Sequence, residues 1–168
     1  MALALLALAA VGTVALGAVT VLGYRLALDP SLIRFHFMAA LVATTILVMA
    51  HSFIMFFLIA TGVELKEIER SLGGGDSLRR RIVAMKQQAF PVMTMALLLV
   101  MANFILGGAA HTRAIPYFVH GLMGVATFMV CTVALYREYR VLGDNNRLIA
   151  EVAERRRRLE GSGSHLPR

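Results

Sequence analysis

The chain has 168 residues, 58% hydrophobic and 16% charged, with a net charge of +7 from 17 Lys and Arg against 10 Asp and Glu. Soluble domains carry about 45–50% apolar and about 25% charged residues, and here the charges are also segregated: none falls within 1–24, 35–63, 89–112 or 114–136. Each run reaches the roughly 20 residues that cross about 30 Å of hydrocarbon. A soluble globular enzyme and a disordered chain are excluded. The expectation is an all-α, polytopic membrane protein: a four-helix transmembrane bundle with cytoplasmic helical extensions, forming one unit over 1–160.

The first span covers roughly Ala2 to Leu28, and Ala9, Thr13 and Gly17 put small residues on one face, where a neighbouring backbone can approach closely. The run lacks a basic leader and a clear cleavage site, so it reads as a retained helix rather than a signal peptide. Asp29-Pro30-Ser31 breaks it, and Ser31 is expected to cap the next helix. The second span is long: the 29 residues of 35–63 rise about 43 Å. Leu65, Ile68 and Leu72 continue its apolar pattern as far as Gly73-Gly74-Gly75. Asp76 or Ser77 then starts a return helix through Leu78, Ile82 and Met85, so that about 64–90 forms a helical hairpin. Pro91 is expected to kink the third span, and Gly107-Gly108 to close it.

Pro116 opens the fourth span, which is expected to end near Tyr136 and to continue through Arg140. Gly143-Asp144-Asn145-Asn146 is read as an interruption before an amphipathic helix over about 144–160, with Leu148, Ile149, Val152 and Leu159 on one face. Glu151 with Arg155 and Glu154 with Arg158 are favourable pairs four residues apart. The Gly- and Ser-rich end, 161–168, is set aside as a flexible tail or expression remnant.

Orientation accounts for the charge without nucleic acid. Arg25, Arg34 and Arg113 fall on one side and leave fourteen of the 17 basic residues on the other. The positive-inside rule then places both termini in the cytoplasm of a bacterial-type inner membrane. The lone cysteine, Cys131, precludes an intramolecular disulfide and reads as an inert small residue.

Histidine carries the chemical interest. His36 lies one turn inside the outer end of the second span, His120 one turn inside that of the fourth, and His111 just past that of the third. His51 lies about 22 Å deeper than His36 on the same helix. At 100° per residue, His36, Ala39, Ala40, Ala43, Leu47 and His51 share a stripe about 120° wide, and His120, Gly124, Thr127 and Cys131 share one about 60° wide. A histidine with Ala40 or Gly124 one turn away suits a flat macrocycle, and Arg34 and Arg113 stand at the same boundary, where haem propionates would lie. Haem b between His36 and His120 is chemically coherent.

The separation of His36 and His51 resembles that of di-haem helices in respiratory cytochrome b proteins. The fourth span offers no histidine 14 or 15 residues after His120, so a second haem would need Met ligation or a homodimer. His51 is instead expected to bond Thr94 or Thr132. Asn103 is a candidate for ligand binding or for bonding between helices. No Asp or Glu falls inside the spans as bounded above, so proton-coupled transport and hydrolysis are disfavoured.

Two functions fit these residues. The leading one is a non-catalytic subunit or accessory protein of a larger inner-membrane assembly, with lipid, other membrane subunits or further copies of itself as partners. The alternative is a small b-type cytochrome that passes electrons between an outer-side haem and a quinone or partner protein.

Overall fold

The charge-free runs become four helices in a computed structural model, which describes residues 1–26, 28–71 and 77–163, with side chains through 160. The helices are α1 (Ala2–Arg25), α2 (Ile33–Ser71), α3 (Ser77–His111) and α4 (Tyr117–Gly163). Each is long and apolar enough to cross a membrane. The 39 residues of α2 reach about 58 Å and the 47 of α4 about 70 Å, well beyond a hydrocarbon core. The exterior carries large apolar side chains such as Val14, Phe53, Phe56, Leu98, Ile105 and Met129, as a surface facing hydrocarbon does.

Consecutive helices pack side by side and α4 closes back onto α1, so α2 and α4 face each other across a diagonal. The packing follows a heptad-like seam. On α4, Thr127, Cys131, Ala134, Glu138, Val141, Asn145, Leu148 and Val152 recur at alternating steps of three and four, and all are buried. Small residues set the approach of α1. Ala9 and Thr13 are buried, a Cβ on Gly12 would lie 2.9 Å from Leu47, and one on Gly17 would lie 2.8 Å from Phe128.

That seam corrects the expected break in the fourth helix. Gly143 to Asn146 continue α4, because Asn145 is buried and accepts a hydrogen bond of 3.1 Å from the Thr61 hydroxyl while Leu142 and Leu148 pack in the core. Tertiary packing overrides the weak local propensity. The buried tail face is correspondingly Leu148 and Val152, whereas Ile149 and Leu159 are exposed. Glu154 pairs with Arg158 at 3.0 Å, but Glu151 pairs with Arg81 of α3 at 2.8 Å instead of with Arg155.

The turns differ in detail as well. Asp29, not Ser31, is the cap: its Oδ1 accepts from the Ser31 N–H at 3.0 Å and the Ser31 hydroxyl at 2.6 Å, opening a short 3-10 turn, Pro30–Leu32. These bonds hold the Asp29 carboxyl below its ordinary pKa. Gly107 and Gly108 lie within α3, which runs on to His111. There the Ala114 N–H reaches the Ala109 carbonyl at 2.9 Å and the Arg113 N–H the Ala110 carbonyl at 3.0 Å, a Schellman end with Arg113 at φ 61°. Leu72, the Gly73-Gly74-Gly75 turn, Asp76 and the tail from Ser164 lie outside the described residues.

Candidate functional site

At the end of the bundle that holds the Asp29 and Arg113 turns, the α2–α4 diagonal brings two imidazoles together. The ring centres of His36 and His120 stand 6.3 Å apart with their planes at 82°. Both side chains are half-buried, and the Nδ1 of each is buried without a hydrogen-bond partner. Buried polar atoms are nearly always satisfied, so a matched pair of orphans marks a site that another group completes.

Glycine presents each ring. A Cβ on Gly23 of α1 would come within 3.1 Å of His36 Cε1, and a Cβ on Gly107 of α3 would come within 3.1 Å of His120 Cε1. The two arrangements repeat each other. Each glycine precedes its histidine by thirteen residues (36 − 23 and 120 − 107), and each histidine is the fourth residue of its helix. One turn before each glycine, the backbone of Val19 or Asn103 presents an acceptor to the same ring without reaching full hydrogen-bond geometry. Nearby on α4, Gly121 packs against the Tyr24 ring and hydroxyl, and Gly124 lies between Thr20 and the Asn103 amide.

The other candidates fall at different places. Ala40 is half-buried one turn after His36, and the side-chain Oδ1 of Asn103 is buried without a partner. Arg34 and Arg113 are exposed at the same end of the bundle. His111 is exposed at the end of α3, and no group of three or more His, Cys, Asp or Glu side chains gathers among the described residues. Two of the three histidines therefore converge.

His51 belongs to a second cluster. Its ring N–H donates from Nδ1 to Glu138 Oε1 of α4 at 2.5 Å, and both side chains are fully buried. This corrects two expectations. Thr94 is exposed, and Thr132 is exposed with its hydroxyl committed to the Phe128 carbonyl, so neither meets His51. A carboxylate does enter the apolar bundle. Reading the fourth span as ending at Tyr136 hid it behind Arg137 and Arg140, although the three-four spacing from Cys131 to Val152 runs through Glu138 and would have exposed it. His51 Nε2 and Glu138 Oε2 have no partner.

Comparison with protein families, with curated proteins and with solved structures found no match for this chain.

Proposed function

We propose that the protein is a small membrane b-type cytochrome in which His36 and His120 would hold the haem iron. The observation that carries this reading is their separation. An imidazole nitrogen binds a first-row metal at about 2.0–2.1 Å, and the ring centre lies about 1.1 Å behind it, so two rings sharing one metal stand about 6.2–6.4 Å apart. The 6.3 Å between the two ring centres is compatible with that arrangement. With two such ligands converging among the described residues, the metal would bring further donors of its own, as the iron of a tetrapyrrole does. Arg34 and Arg113 supply positive charge at the end where propionates would emerge.

Such a haem supplies one-electron chemistry near the outer face of an inner membrane, with a quinone or a partner protein as the other redox partner. The backbone acceptors at Val19 and Asn103 would orient the rings by accepting a hydrogen bond from their non-ligating N–H groups.

The purified protein should show a Soret band and a pyridine haemochrome spectrum of haem b. His36→Ala or His120→Ala should abolish both, and His51→Ala should largely spare them. A protein that stays colourless after haem reconstitution overturns the cytochrome reading. The accessory-subunit reading would then take its place, supported by residues 153–160 of α4, all exposed and so available to another subunit.

A further inference from the structure

The His51–Glu138 pair plays no part in holding the haem proposed above, yet a bundle that only had to pack would not retain it. Both side chains are fully buried in the low-dielectric core, with no solvent contact. An apolar pair of similar volume would avoid the cost of removing them from water. Each also keeps one buried polar atom unsatisfied, His51 Nε2 and Glu138 Oε2, where water or a proton can be accepted.

Apolar layers flank the pair on both sides, Leu16, Leu47, Ala96 and Val100 toward the His36–His120 end and Ile54, Leu58 and Val141 toward the other. Its direction is therefore set by the buried polar side chains. The next one toward the His36–His120 end on α4, Thr127, is eleven residues off, and its hydroxyl is committed to the Met123 carbonyl. Toward the end that carries the long extensions, Asn145 is only two turns away on the same face, bonded to Thr61, with its Nδ2 buried and unpartnered. Few other ionisable groups approach. Cys131 lies two turns earlier on α4, Glu69 of α2 and Lys86 of α3 lie toward the extended end, Arg137 and Arg140 are exposed on the flanks of α4, and α1 brings no charge between Ala2 and Tyr24.

We infer that His51–Glu138 is a proton-binding site, loaded from the extended end past Asn145 and Thr61, that compensates an electron placed on the His36–His120 centre. The inference rests on the haem reading. A net charge in this interior is strongly disfavoured, so the pair does not take up a proton alone. When a one-electron donor reduces ferric iron to ferrous, one proton from water adds to Glu138 Oε2, and the interior keeps its net charge.

The test is a potentiometric titration of the haem-loaded protein in lipid nanodiscs at a series of pH values. In the wild type, the equilibrium constant for reduction should fall as pH rises, by up to about tenfold per pH unit for one coupled proton. Glu138→Gln should keep the Soret band and lose this dependence, whereas any contribution from haem propionates would survive that variant. A wild-type potential independent of pH overturns the inference, and so does an unchanged dependence in Glu138→Gln. Should that variant fail to fold, redox-difference infrared spectra of the wild type decide: reduction should produce a new protonated-carboxyl band, and its absence overturns the inference. Asn145→Leu should preserve the equilibrium dependence but slow proton uptake seen by a pH dye during stopped-flow reduction; an unchanged rate overturns the route. A wild-type protein without a Soret band removes the haem reading and this inference together, whereas a Soret band with a pH-independent potential removes this inference alone.

Discussion

Replacing Glu138 with Leu tests the buried pair as an energetic unit. The substitution keeps the volume roughly constant, removes the acceptor of the 2.5 Å bond, and leaves the His51 imidazole buried with neither ring nitrogen satisfied. Hydrogen bonds between membrane helices average only about 0.6 kcal/mol, because polar groups find other partners in the unfolded membrane-embedded chain. Removing one partner of a fully buried hydrogen-bonded pair leaves the other with its whole desolvation penalty, about 1–3 kcal/mol and more where a charge is involved. The complete burial of both partners argues for the upper range. Glu138→Leu should therefore destabilise by about 3 kcal/mol or more, and adding His51→Leu should recover most of that loss, giving a coupling energy of at least about 2 kcal/mol. Reversible unfolding by sodium dodecyl sulfate in mixed micelles, applied to both single variants and the double variant, yields this cycle. Losses below about 1 kcal/mol, or strict additivity, would refute the claim that the two side chains form one charge-coupled unit.

Adjacent glycines in α3 should respond oppositely to alanine. Gly108→Ala meets nothing within 4 Å and should gain about 0.5–1 kcal/mol, whereas Gly107→Ala meets His120 Cε1 at 3.1 Å and should lose that gain and alter the low-spin haem signal in electron paramagnetic resonance. Arg113→Gly should raise thermal stability by about 1 kcal/mol, because φ 61° is a left-handed conformation that only glycine adopts without cost; no gain in melting temperature would show that the turn is unstrained. For topology, cysteines at Ser31 and Thr112 should react with an impermeant thiol reagent added outside cells, one at Ser77 should not, and buried Cys131 gives no background. The reverse pattern would refute the orientation drawn from the Lys and Arg distribution.

The four helices were legible because charge exclusion is a long-range signal that survives without any knowledge of contacts. The placement of His36 and His120 was legible for a related reason: topology fixes depth, and helical periodicity fixes the face. Glu138 and Asn145 were missed, because a polar residue near a span end has the same local signature whether it faces solvent or a partner, and the one sequence signal for their burial is the three-four spacing of apolar residues around them. Their partners, His51 and Thr61, lie 87 and 84 residues away in the chain. Of the two charge pairs expected on the tail, Glu154 with Arg158 formed, and Glu151 with Arg155 failed for the same reason. Glu151 had a partner four residues away on its own helix, but α3 brings Arg81 to it instead.

Chain connectivity explains why two histidines and not three converge. In a ring of consecutive antiparallel helices, α2 and α4 run in the same direction on opposite sides of the centre, so residues equally far from their helix starts reach equal depth. His36 and His120 satisfy that condition, each as the fourth residue of its helix. His111 closes an odd-numbered helix that runs the other way, and it ends at the surface. Neighbouring helices stand about 8–10 Å apart and interleave their side chains, whereas the diagonal is wider and lets two imidazoles meet ring to ring. The glycine thirteen residues before each histidine lies on the preceding helix of the same hairpin, so each hairpin delivers its own ring to the centre. Alanine or leucine at these two positions would fill the core without burying an orphan nitrogen. That both hairpins carry histidine at this register, each with an unsatisfied Nδ1, is not a requirement of packing, and it is the feature on which the proposed cofactor site rests.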